Sequence, residues 1–185
     1  MKHVVRKLFM DFEKEEQWLN EMSARGLTLS SYSWCKYVFT ETPKNEYTYR
    51  IELLDNVPTH PESIAYIKFL EENGVECVSS YVRWIYLRKK SSEGAFDIYT
   101  DLGSKIKHFK RINTLWNSVM WLEFIIGLAN ILIGIMNYSH SPRNINLVNV
   151  VLGVFLILLG LVFLRAGAPI RKKINKLQQE NLIRE

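Results

Sequence analysis

Cysteine is almost absent from this 185-residue chain: there are two, Cys35 and Cys77, with no C-x-x-C pair. That excludes a disulfide scaffold and a zinc ribbon, and fits two buried thiols in a reducing compartment. Histidine is nearly as scarce, and the four residues His3, His60, His108 and His140 are scattered rather than clustered. No P-loop, G-x-G-x-x-G, H-E-x-x-H or G-x-S-x-G string occurs, so the phosphate, dinucleotide, metalloprotease and serine-hydrolase signatures are missing. The sequence predicts no catalytic residue, no metal and no cofactor, and it reads as not an enzyme. The one acidic cluster, Glu13, Glu15 and Glu16, opens a helical stretch and reads as a solvated helix start. With 5 Pro and 9 Gly the chain is neither collagen-like nor low in complexity.

Charge is unevenly spread. Residues 1–90 hold 13 Lys+Arg against 13 Asp+Glu, whereas residues 91–185 hold 11 against 6 and so carry the whole net charge of +5. Long apolar runs are confined to that second half. Leu115–Tyr138 has one formal charge, Glu123, and Leu147–Leu164 has none. A membrane-crossing helix needs about 20 apolar residues, so both runs are expected to span a bilayer. Lys105, Lys107, Lys110 and Arg111 precede the first run, and Arg165, Arg171, Lys172, Lys173 and Lys176 follow the second. The connecting loop Ser139–Asn146 has only Arg143. Positive flanks stay in the cytoplasm. The reading is a multi-pass protein of the cell membrane with both termini cytoplasmic and a short external loop.

Within the spans, Glu123, Gly127, Asn130 and Gly134 share one helical stripe, and Gly153 and Gly160 mark a stripe on the second. Small and polar residues on one face permit close packing in lipid. The two stripes are expected to meet each other or a second copy of the chain. Flanking the hairpin, Ile106 and Phe109 accompany Lys105, Lys107, Lys110 and Arg111. In the last segment, Ile170, Ile174 and Leu177 accompany Arg171, Lys172, Lys173 and Lys176. Each segment has the composition of an interfacial helix with its cations toward anionic headgroups.

The first half alternates helix and strand signals. Phe12–Arg25 has Asp11 as N-cap, an apolar face of Trp18, Leu19 and Met22, and Gly26 after its end. A second helix opens on Thr59-His60-Pro61-Glu62, read as a capping box, with Ile64, Ile67 and Leu70 inward and Gly74 closing it. Glu46–Leu53 alternates strictly, and Val4–Met10, Leu27–Thr40 and Val78–Arg88 are the other strand-like runs. The order predicts an α+β fold, a ferredoxin-like βαββαβ domain over residues 1–90. A basic linker helix over 91–114, spans at 115–138 and 147–165 about the loop 139–146, and a basic C-terminal helix over 166–185 complete the expected organisation.

Such a sheet has one uncovered face, and Tyr32, Trp34, Tyr47, Tyr49, Tyr81, Trp84 and Tyr86 are too many aromatics for one small core face. Trp34, Tyr49, Trp84 and Tyr86 are the expected contacts for a partner. A net-neutral half with no RNP1-like string argues against nucleic acid. The expected partners are membrane lipid and an unidentified cytosolic or membrane protein, or a small apolar ligand at the sheet face.

Glu16-Gln17-Trp18-Leu19-Asn20-Glu21-Met22 with Gly26 resembles the E-x-W-L-N-x-M…G opening of the bacterial family called domain of unknown function 2812. Tyr37-Val38-Phe39, Tyr47-Thr48-Tyr49-Arg50-Ile51 and Arg83-Trp84-Ile85-Tyr86-Leu87-Arg88 are similar to its later strand motifs. The resemblance implies a regulatory setting beside PadR-type transcriptional regulators and supplies no catalytic residues. The functional expectation is a non-enzymatic, membrane-anchored regulatory or adaptor protein. The alternative is an accessory subunit of a membrane transporter, engaged through the hairpin.

Overall fold

Four strand-like runs become six strands, because two of the runs fold back on themselves. The structure is a computed structural model that describes residues 1–99, 101–140 and 144–184. The chain divides into two compact units, Met1–Asp101 and Leu102–Glu185. In the first, β1 (Lys2–Arg6), α1 (Phe12–Ala24), β2 (Leu27–Ser33) and β3 (Lys36–Glu41) are followed by β4 (Tyr47–Leu53), α2 (Pro61–Glu72), β5 (Glu76–Tyr81) and β6 (Trp84–Lys90). Two antiparallel sheets of three strands result, ordered β1-β3-β2 and β4-β6-β5. The fold is α+β as expected, but the single four-stranded βαββαβ sheet is replaced by two βαββ halves.

The cause lies in two turns. Ser33 pairs with Lys36 and Tyr81 with Trp84, so each hairpin closes on two residues, Trp34-Cys35 and Val82-Arg83. Tight two-residue turns require positive φ, usually supplied by Gly or Asn. Here Trp34, Cys35 and Val82 adopt φ of 32°, 59° and 56°.

The halves are repeats of one another. Gly26 and Gly74, both at positive φ, stand 48 residues apart, and the same offset relates the turn residues Trp34 and Val82. It also relates the bulges at Ser30 in β2 and Val78 in β5. Each glycine ends its helix in a conformation that a Cβ disfavours. At Gly26 a Cβ would also stand 2.8 Å from the Thr42 carbonyl oxygen.

Helix starts differ in detail from expectation. Asp11 caps α1 as its spacing predicts, accepting the Glu13 N–H at 3.0 Å. In α2 the cap is His60 rather than Thr59: its Nδ1 accepts the Glu62 N–H at 3.3 Å with Pro61 in the first turn. Ile64 is exposed, and Ser63 turns inward in its place. Leu19, Met22, Leu29, Tyr37, Phe39, Tyr49, Ile51 and Tyr86 form the main core, and Leu54, Leu70, Val75, Ile85, Leu87 and Phe96 a second.

The second unit is helical: α3 (Leu102–His140), α4 (Asn144–Ala166) and α5 (Ala168–Arg184). The basic segment before the first apolar run is not a separate helix but the opening turns of α3. Residues 141–143 of the expected external loop, Arg143 among them, lie outside the described residues. Leu102–Tyr138 and Leu147–Ile183 are long and apolar enough to cross a membrane. Their outer faces leave Ile125, Leu128, Leu132, Val151, Phe155 and Leu158 exposed.

Candidate functional site

One face of α1 is polar in a way that serves its neighbour. The Asn20 side chain accepts the Tyr49 N–H at 2.8 Å and donates to the Tyr49 carbonyl at 3.2 Å. One turn away, Ser23 Oγ donates to the Tyr47 carbonyl at 2.6 Å, and on the other side Glu16 Oε2 accepts the Ile51 N–H at 3.1 Å. These three side chains do for the free edge of β4 what another strand would do, and satisfy its backbone groups. Arg50 pairs with Glu16 at 3.2 Å and neutralises it. The clamp fixes the rotation of α1 about its axis.

That rotation turns Glu15 inward with Leu19 and Met22, so that it is only 8% exposed. Both Tyr37 of β3 and Tyr86 of β6 donate their phenol hydrogens to Glu15 Oε1, at 2.6 and 2.7 Å. Burial pushes the Glu15 carboxyl above the ordinary carboxylate range, and the two phenol hydrogen bonds offset this only in part. Burial also holds Tyr32, Tyr37 and Tyr86 above the usual phenol range, so all three are neutral; Tyr37 and Tyr86 donate to Glu15, while the Tyr32 oxygen accepts the Cys35 N–H at 3.3 Å.

Around this carboxyl the aromatics are in ring contact. Tyr32 lies with its centroid 4.5 Å from Tyr86 and 4.8 Å from Tyr37, and Trp18 stands edge-on to Tyr37 at 4.8 Å. Phe12, one turn before Glu15, packs on Trp84 at 5.8 Å. From Tyr32 the series continues outward through Tyr81 at 5.8 Å to Trp34, a further 6.1 Å on and 73% exposed. At the rim, Lys7 Nζ sits 4.6 Å from the Phe9 centroid and 4.8 Å from that of Trp18. These faces already attract a cation.

The four aromatics singled out from the sequence are thus separated by depth. Trp34 is on the surface, Trp84 is half-buried beside Phe12, and Tyr86 reaches Glu15. Tyr49 is fully buried in the core, where its phenol oxygen accepts the Leu29 N–H at 2.9 Å. The reading of Glu13, Glu15 and Glu16 as a solvated helix start is corrected for Glu15, which is buried among aromatics, and for Glu16, which is committed to β4. A signal was present, since Glu15 lies on the same stripe as Leu19 and Met22. Cys77 is a half-buried thiol pushed up to about 11 by its burial, unsuited to act as a thiolate.

In the helical unit, Gly127 and Gly153 pack against each other, and Gly160 receives the ring of Phe124. Gly134 is buried and Glu123 half-buried, and Asn130 donates to the Ile126 carbonyl of its own helix at 2.9 Å. Ile106, Phe109 and Ile112 of α3 and Ile174 and Leu177 of α5 are buried, and these two helices pack together. The apolar sides expected at the headgroup boundary are occupied by each other. Lys173 Nζ lies 4.8 Å from the Phe109 centroid. Lys107, Lys110, Lys172 and Lys176 remain exposed, and Lys105, Arg111 and Arg171 are half-buried.

A family model described as a protein of unknown function, DUF2812, matches residues 11–121. Neither the curated proteins nor the solved structures contain a match.

Proposed function

This chain belongs to the DUF2812 family, and we propose that it is a membrane-anchored regulatory protein, not an enzyme, that receives a small ligand at the aromatic cluster around Glu15. The observation that carries this reading is the placement of that carboxyl. A buried ionisable group is costly, and a domain with a well-formed core has no need of one there. Groups of this kind concentrate at sites that bind something. The two helices long enough to span a bilayer would anchor the domain, and the nine flanking cations against one in the loop favour both termini cytoplasmic. An accessory-subunit role through the glycine seam has less to draw on, because Gly127, Gly153 and Gly160 are filled from within the hairpin.

The test uses the full chain in detergent micelles. Its thermal unfolding is followed against cationic, anionic and uncharged aromatic compounds, for the wild type and Tyr86→Phe. A compound that raises the wild-type midpoint by several degrees and leaves the variant unmoved supports the site. Absence of any such compound in all three sets removes the small-ligand reading. Cytoplasm-active reporters fused at either terminus should be active, and one inserted in 139–146 should be silent.

A further inference from the structure

Two adjacent glutamates on α1 turn toward the domain, Glu15 buried and Glu16 half-buried, and they are treated differently. Glu16 has its counter-charge, Arg50, at 3.2 Å. Among the described residues no Lys, Arg or His pairs with Glu15. It has only two neutral phenols, and both are spent on the same oxygen, Oε1. A second buried glutamate shows the contrast. At Glu52 the phenols of Tyr66 and Tyr99 go to separate oxygens, Oε2 and Oε1, each at 2.9 Å. Glu15 Oε2 keeps its acceptor capacity, and the phenols that hold Oε1 belong to the aromatic cluster.

We propose that the Glu15 cluster binds an organic cation of the aryl or quaternary ammonium class, with the positive centre beside Glu15 Oε2 and the rings of Tyr37 and Tyr86 against it. This deepens the ligand-site reading above and rests on it. Charge decides the class. An anion would meet a carboxylate in a low-dielectric site, and an uncharged ligand would leave that carboxylate as uncompensated as before. A cation supplies the missing counter-charge and is attracted by every ring face. Its weak hydration, if it is a quaternary ammonium, keeps the cost of stripping its water low. Lys7 over Phe9 and Trp18 shows the same chemistry at the rim.

Entry has a defined route. Rings 4.5 to 4.8 Å apart leave no space between them, so the ligand takes the place of the Tyr32 ring. Tyr32 is half-buried and lies on the aromatic series leading out to Trp34. Its backbone is held on both sides by Ser79 Oγ, which accepts the Tyr32 N–H and donates to its carbonyl, each at 3.1 Å. The side chain can therefore swing while β2 stays in place.

Phenyltrimethylammonium and its uncharged isostere tert-butylbenzene separate charge from shape. Each is titrated into the full chain in micelles and followed by tryptophan fluorescence, with Glu15→Gln in the same detergent as the control for partition into the micelle. The expected result is saturable binding of the cation to the wild type, at least tenfold weaker in Glu15→Gln, and no such difference for the isostere. The amide of Gln still accepts from Tyr37 and Tyr86, and circular dichroism verifies its fold. A second measurement uses the wild type alone. Binding of the cation should weaken as acid protonates Glu15, while Tyr32, Tyr37 and Tyr86 stay neutral throughout. Equal binding of cation and isostere, with no response to pH, overturns the cation assignment and leaves a ligand site for uncharged aromatics. No saturable binding of either also overturns it, and the compound screen then decides whether a ligand site exists at all.

Discussion

Gly127 and Gly153 face each other across α3 and α4 so closely that a Cβ on either would stand less than 3.0 Å from the other's carbonyl oxygen. This contact sets the separation of the two long helices, and neither position has room for any side chain. In lipid, where no hydrophobic force draws helices together, such close backbone approach is a main source of cohesion. Gly153→Leu should separate the hairpin and lower its stability by about 1–3 kcal/mol, the usual range for overpacking. Sodium dodecyl sulfate titration of micelle-held protein, read by helicity, checks this. Ile125→Ala, on the bare outer face, should leave the curve unchanged.

Asn20 substitutes for a strand along the free edge of β4. Asn20→Leu would leave the Tyr49 N–H without its partner, while the Tyr49 carbonyl keeps the Arg50 guanidinium at 2.9 Å, and an unsatisfied buried group costs about 1–3 kcal/mol. Urea unfolding followed by tryptophan fluorescence should show a lower midpoint. Asn20→Asp, which keeps the acceptor and loses the donor, should fall between Leu and the wild type.

The raised carboxyls on α1 give stability a pH dependence of fixed sign. In the unfolded chain Glu15 and Glu16 ionise about the ordinary glutamate value of 4.5, whereas in the folded chain burial makes them keep their protons to higher pH. The folded state then binds more protons, so stability falls as pH rises through the window between the two values and is full below it. Glu41, lowered by His3 and fully exposed, acts in the opposite sense at the acid end. Melting curves taken from neutrality down to about pH 4.5 should show rising midpoints before general acid unfolding. Glu15→Gln should flatten that rise.

Phe109 is 3% exposed and has Lys173 over its ring, in the layer where α3 and α5 meet. Phe109→Ala removes that layer's largest side chain, at about 3–5 kcal/mol for a buried phenylalanine. The C-terminal helix should then come away and trypsin should cut at Lys172 and Lys173 far faster than in wild type. If cleavage is unchanged, α5 is held by something other than this apolar layer.

Much of this architecture is written in local patterns. The Asp11 cap, the glycines after both helices, the alternation from Tyr47 to Leu53 and the two long apolar runs each act within a few residues, and each is legible in the sequence. The two hairpin turns are not, because Trp34-Cys35 and Val82-Arg83 contain no glycine or asparagine. Their positive φ is imposed by the pairing of the strands on either side, a long-range cause. Glu15 is hidden for another reason. Acidic residues in a first helical turn are favourable on electrostatic grounds alone, so the stripe that Glu15 shares with Leu19 and Met22 is the one local sign that it points into the core. The family motif carries more than its spacing shows. Glu16 and Asn20 are the clamp on β4, and Trp18, Leu19 and Met22 are core, which makes that string an architectural signature.

The doubling of the βαββ unit leads to a definite stoichiometry. Stepping 48 residues from Glu15 and Tyr37 arrives at Ser63 and Ile85, neither of which carries an acid or a phenol. The second copy keeps the frame of the first without its chemistry, and lends Tyr86 to it. A chain built twice over should therefore saturate with one equivalent of ligand rather than two, and with a single affinity.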